Sequence, residues 1–198
     1  MTDQAEFTSE GVVINKYPYK PASVYPSGQI AYSRIVGWAS DKTLPEIRLD
    51  NGEIIFLPNQ LADSLAKAMA QHGVPKSPRV NVWMYLLVPY LDSSMDKAEE
   101  ALNRKVLNDC GFTDEEVKEI RRRVSFRISF YNLLFWWEWA YLDLSDVFEV
   151  FLRFKPFTFP VRRQAEFYWW AIDIANRGMP LDEKEVEEME AHIDMLMS

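Results

Sequence analysis

One cysteine, two histidines and seven glycines in 198 residues remove several chemistries at once. The lone Cys110 excludes an internal disulfide and fits a reducing compartment, so a cytoplasmic location is expected. It precedes Gly111 at the expected end of a helix, where the helix dipole disfavours a thiolate, and reads as a buried or half-buried structural residue. Neither His72 nor His192 stands near it, so no Cys/His zinc spacing exists. Glu188 and His192 are four apart and could share a metal, but two ligands fall short of a site and a solvated helix face is the expectation. No metal is assigned. No Gly-x-Gly-x-x-Gly, Walker-type loop or Gly-x-Ser-x-Gly elbow is present, and few glycines are left to cradle a phosphate, so no cofactor is expected. The opening Met1-Thr2-Asp3-Gln4-Ala5-Glu6 is polar and acidic, without the basic start and apolar run of a secretory leader.

Long apolar runs are also scarce. Residues 128–142 carry a single charge, Glu138, but a membrane span needs about 20 residues, and upstream the run meets Arg127 and Arg121-Arg122-Arg123. A buried helix is the reading, with no membrane partner. Positive charge is in deficit: the net charge is −8, and the whole excess lies after residue 90. Seven acids against one base, Lys184, fall between Asp182 and Asp194. An acidic chain repels polyanions at long range, so nucleic acid is not the expected partner.

What the sequence has in quantity is aromatic surface. Seventeen of its 28 aromatic residues lie between Phe126 and Trp170, including the runs Phe135-Trp136-Trp137-Glu138-Trp139 and Phe167-Tyr168-Trp169-Trp170. Such a segment is the centre of a core, a binding surface, or both.

The pattern predicts an α+β fold: a β-rich portion over 1–91 with one helix, shaped as a small bent sheet or partly open barrel, then an α-helical portion over 92–198. The two are expected to share an interface and could be one compact unit. Strands are expected over 11–16 and 29–38, bounded by Pro, Gly and Ser. Asp50-Asn51-Gly52 between two β-forming runs is a hairpin signal, because Asn-Gly supplies positive φ. Asn59 is a candidate N-cap for a helix bearing Leu61, Leu65 and Met69 and ended by Gly73, and 80–88 reads as a fifth strand. Ser94 is placed to cap a helix over 95–109, and Thr113 with Glu116 forms a capping box opening a helix to about Leu142. That helix places Val117, Ile120, Val124, Ile128, Tyr131, Phe135 and Leu142 on one face. Residues 146–154 are ambiguous between helix and strand, with Ser145 as a possible start. Helices over 161–177, stopped by Gly178, and over about 182–196 complete the chain.

The ligand or partner-binding candidates are Trp136, Trp137, Glu138, Trp139, Trp169 and Trp170. Glu138 is the oddest, since a carboxylate among tryptophans must be paired, neutralised or left at a cavity edge. An ion pair with Arg127, Arg153 or Arg162 is the favoured account, and a polar anchor in an aromatic pocket the sharper one. No catalytic residue is nominated, because no second group is placed beside it. The one basic cluster is Arg121, Arg122, Arg123, Arg127, Arg162 and Arg163, with Arg153 and Lys155. Arginine interleaved with aromatics suits single-stranded nucleic acid, but acids at 114–119 lie a turn away and favour a solvated face or an intramolecular mate for the acidic last helix.

The expected function is a non-enzymatic protein-interaction factor (an adaptor, inhibitor, immunity or assembly protein) meeting a protein partner, basic by complementarity, through acidic and aromatic surfaces. The alternatives are a binding module for an apolar or aromatic small molecule, and a nucleic-acid-associated factor using the bent sheet and the arginines.

Overall fold

The computed structural model describes residues 4–40, 44–90, 97–135, 142–154, 158–182 and 184–186. The fold is α+β, as the pattern predicts, with small antiparallel sheets first and helices after. The chain packs as two compact units, one formed by 1–78 with 159–172 and the other by 79–158 with 173–198.

In the first unit, strands β1 (Ala5–Phe7), β2 (Gly11–Ile14) and β3 (Gly28–Ala31) form one antiparallel sheet in that order. The stretch expected as one strand over 29–38 is interrupted: after β3 a 3-10 turn, Tyr32–Arg34, redirects the chain into β4 (Ile35–Ala39), the first strand of a second sheet. β4 pairs with β5 (Glu46–Leu49), and β5 with β6 (Ile54–Phe56), both antiparallel. Val36 is a bulge between Ile35, opposite Leu49, and Gly37, opposite Arg48, and its side chain is exposed. The predicted hairpin forms, with Gly52 at φ 85° and Asn51 Oδ1 accepting from the Glu53 N–H at 3.1 Å. Burial of Val12, Ile14, Ile30, Ile47, Leu49, Ile54 and Ile55 supplies the core of this part, completed by Leu65 and Met69 of α1 (Ala62–Gln71). Asn59 does not cap α1. It opens a 3-10 turn, Asn59–Leu61, so Leu61 occupies the N-cap position without a side-chain bond.

The run at 80–88 is a correction. Val82–Leu87 is a helix, α2, continued by the 3-10 turn Val88–Tyr90. Five of its six residues are buried, so apolar residues fall on every side and periodicity could not separate helix from strand. The start of the helix is capped locally: Asn81 Oδ1 accepts from the Met84 N–H at 3.3 Å, an N-cap bond. Around α2, in the second unit, pack α3 (Lys97–Asp109) and α4 (Asp114–Phe135). Of the expected stripe of α4, Val117, Ile120, Val124 and Ile128 are buried and Tyr131 is half-buried, while Leu142, expected as its last member, lies outside the helix and residues 136–141 lie outside the described set. Its capping box forms, Thr113 N–H donating to Glu116 at 2.9 Å and Glu116 N–H to Thr113 Oγ1 at 3.2 Å. The ambiguous element is helical: α5 (Leu144–Phe148), then a π-helical turn, Glu149–Arg153. Its cap is Asp143, where Ser145 was the expected start. Finally, α6 (Val161–Ala175) ends two residues before the expected 177, and a turn leads to Gly178, where any Cβ would meet the Val80 carbonyl oxygen at 2.1 Å. Asp182 and Glu185 exchange N–H bonds at 2.8 Å each, the expected start of the last helix, whose residues beyond 186 lie outside the described set.

Candidate functional site

Trp136, Trp137, Glu138 and Trp139 lie outside the described residues. Trp169 and Trp170 are half-buried on α6, the first edge-on to Tyr168 at 5.6 Å and the second tilted against Phe167 at 5.3 Å. Phe167 and Tyr168 are fully buried, so this run contributes mainly to packing in the first unit.

The basic cluster divides by role. Arg162 and Arg163 are exposed in the first turn of α6 and belong to the first unit, whereas Arg121, Arg122, Arg123 and Arg127 lie on α4 in the second. Arg122 is exposed and held by Glu119, three residues back, at 2.8 Å. Arg127 lays its guanidinium over the Phe151 ring, 5.1 Å from its centroid, and burial depresses its pKa. Arg121 turns inward. Its Nε donates to Leu86 O at 3.0 Å and its Nη2 to Tyr85 O and Asn103 Oδ1 at 3.2 Å each, taking up carbonyls that the end of α2 leaves open. Asn103 returns a bond to Tyr85 O at 2.8 Å, and Tyr90 OH donates to Arg121 O at 3.0 Å. Burial lowers the pKa of Arg121 as well.

On the outer side of α4, Arg122 and Arg123 lie three and four residues after Glu119, Phe126 lies four and three after them, and Phe130 four after Phe126, which places the five along one stripe. Phe126 is 72% exposed, the most exposed large apolar side chain among the described residues, and its ring lies 6.4 Å from that of Phe130. No protein-family model, curated protein or solved structure matches this chain.

Two buried polar constellations escaped the sequence reading. In the first unit Glu53 is fully buried, with Oε1 accepting from Tyr168 OH at 2.9 Å and Ser23 N–H at 2.8 Å, while Oε2 is buried without a hydrogen bond among the described residues. Burial pushes the Tyr168 phenol far above its ordinary range, with Tyr17 and Glu53 adding to the effect, so it acts as a donor at every ordinary pH. In the second unit Asp143 and Asp146 form a capping box in which Asp143 Oδ1 accepts from Ser145 and Asp146 N–H groups and Asp146 Oδ2 accepts from the Asp143 N–H at 2.8 Å. Burial, then the charge of Asp143, raises the Asp146 carboxyl from 3.8 to about 8. The only advance signal was the Asp-x-x-Asp spacing, a shortened form of the usual Ser/Thr-x-x-Glu box.

Among the described residues no group of three or more His, Cys, Asp or Glu could hold a metal ion, and Cys110 is buried with a raised thiol pKa. Nor is any described helix long and apolar enough to cross a membrane.

Proposed function

We propose that this protein is a non-enzymatic interaction factor that meets a protein partner through the outer stripe of α4, with Phe126 as its anchor. The observation that carries the reading is the 72% exposure of Phe126 beside Phe130, on a helix whose opposite side is buried. Aromatic and arginine side chains dominate the energetics of protein interfaces, and spacings of three and four match a helix laid into a partner's groove. The Arg122–Glu119 pair contributes a polar rim to that stripe. A net charge of −8 favours a partner with a basic surface, by steering its approach. A reducing, cytoplasmic setting belongs to the same proposal and rests on the single cysteine.

The test compares wild type with Phe126→Ala. Removing an exposed side chain should change stability by less than about 0.5 kcal/mol. Binding to a purified partner, first identified as retained by the wild type and lost by the variant, should weaken by about tenfold or more. If every retained protein is held equally by both forms, the α4 stripe is not the contact surface.

A further inference from the structure

A groove of about 560 Å³ runs between α3 and α4 in the second unit, and Phe126 is not among its lining residues. From α3 it is lined by Asn103, Arg104 and Leu107, and from α4 by Val117, Lys118 and Arg121, with Pro89 at one side. The spacings explain the lining. Residues 100, 103, 104 and 107 share one face of α3, and 114, 117, 118 and 121 share one face of α4. The two helices are joined through Gly111, at φ 79°, so these faces are brought together locally.

The charge at this groove runs against the rest of the chain. Three bases, Arg104, Lys118 and Arg121, face two acids, Glu100 and Asp114, in a protein of net charge −8. At the rim Arg104 approaches Asp114 at 3.8 Å. Arg121 has no carboxylate partner among the described residues: Nε and Nη2 are spent on two backbone carbonyls and an amide oxygen, and Nη1 makes no hydrogen bond to any of them. A partly buried guanidinium without a counter-charge is costly, and its remaining donors seek an anion. Lys118 lies one turn before it on the same face of α4, without an ion pair among the described residues. Beside them the exposed Pro89 offers apolar surface, with only the edges of the buried Leu107 and Val117 reaching the groove, and a groove of this volume suits a small molecule.

We propose that this groove binds a small organic carboxylate with an apolar body, its head group on Arg121 and Lys118 and its chain against Leu107, Val117 and Pro89. The excess of one positive charge matches a monoanion better than a dianionic phosphate, and the single free guanidinium nitrogen suits one carboxylate oxygen. Glu100 is the internal competitor, being the other lining acid and lacking a basic partner among the described residues.

Sodium octanoate, 1-octanol and inorganic phosphate serve as probes, read by calorimetry and by amide and side-chain NMR shifts on the full chain. Octanoate should bind saturably, shifting the Asn103 side-chain amide and the backbone of Lys118, with octanol and phosphate each weaker by about tenfold or more. Lys118→Ala should weaken octanoate about threefold at low salt, and Glu100→Gln should strengthen it by a similar factor. Arg121→Gln, which keeps donors and drops the charge, should abolish binding if it stays folded by circular dichroism. If it does not fold, the Lys118 and Glu100 variants decide. Octanol binding as tightly as octanoate would reduce the groove to an apolar slot, phosphate binding as tightly would remove the chain's role, and variants that change nothing would leave Arg121 purely structural. Any of these, or no saturable shift at these residues, overturns the proposal.

Discussion

The buried carboxylate pair at the start of α5 should make the stability of this protein fall as pH rises toward 8. Asp146 receives its charge penalty from burial and from Asp143, with Glu149 adding to it, and its carboxyl is raised from 3.8 to about 8. Tyr131 of α4 feels the same acids and Arg153 opposes them. The sign follows from proton counting. Below about pH 4 the group is protonated folded or unfolded. Between about 4 and 8 only the folded form holds the proton, so the unfolded state gains relative stability with each pH step until the folded group ionises near 8. At 1.36 kcal/mol per pH unit the whole displacement would amount to about 6 kcal/mol. Relaxation and water penetration, expressed as an effective dielectric nearer 20 than 4, bring the expectation to about 2 kcal/mol. Asp146→Asn isolates the effect: its amide oxygen still accepts from the Asp143 N–H, which lies 2.8 Å from Asp146 Oδ2, while the ionisation is gone. Urea unfolding of both forms from pH 4 to 9 cancels every other titration they share. The variant should be near wild type at pH 4 and gain on it as pH rises, to about 2 kcal/mol by pH 9, with the gain starting at lower pH the more solvent relieves the penalty. Parallel profiles would show that Asp146 ionises at an ordinary pH and that the charge repulsion is relieved by solvent.

Two further substitutions test the frame around the proposed surfaces. Tyr168→Phe removes one of two donors to the fully buried Glu53 carboxyl and should cost about 1–3 kcal/mol by urea midpoint, the penalty of leaving a buried acceptor short of a donor; Glu53→Gln, which keeps an acceptor there, should cost less, and a Tyr168→Phe midpoint equal to wild type would show that this bond contributes nothing net. Thr113→Ala opens the capping box of α4 and should lower stability by about 1 kcal/mol in thermal unfolding, with an unchanged midpoint placing the start of this helix under tertiary control.

Where the chemistry is local, the sequence is a good guide. The Asn51-Gly52 hairpin depends on the φ preferences of two residues, and the Thr113–Glu116 box on contacts three positions apart. Both are written within a handful of letters. Residues 80–88 lack that property: an apolar run bears no period when nearly every side is buried, and its one local helix signal is the Asn81 cap. The strand expected over 29–38 fails for a related reason, because β-propensity persists through a 3-10 turn that moves the chain from one sheet to the next.

Arg121-Arg122-Arg123 makes the same point about function. As letters, the three are one basic run with one chemistry. Successive residues on a helix diverge by about 100°, so the run is distributed around α4. Arg122 stays in solvent with Glu119, while Arg121 reaches carbonyls some 35 positions away in α2 and meets Asn103 across the α3 groove. A contiguous patch of three charges would have suited a polyanion's phosphates. Split in this way, the run instead contributes a rim residue to an exposed aromatic stripe and a partly buried cation to a groove, two surfaces facing different neighbours. The density of charge in the sequence was legible, and its direction was not, because direction is set by partners that lie far along the chain.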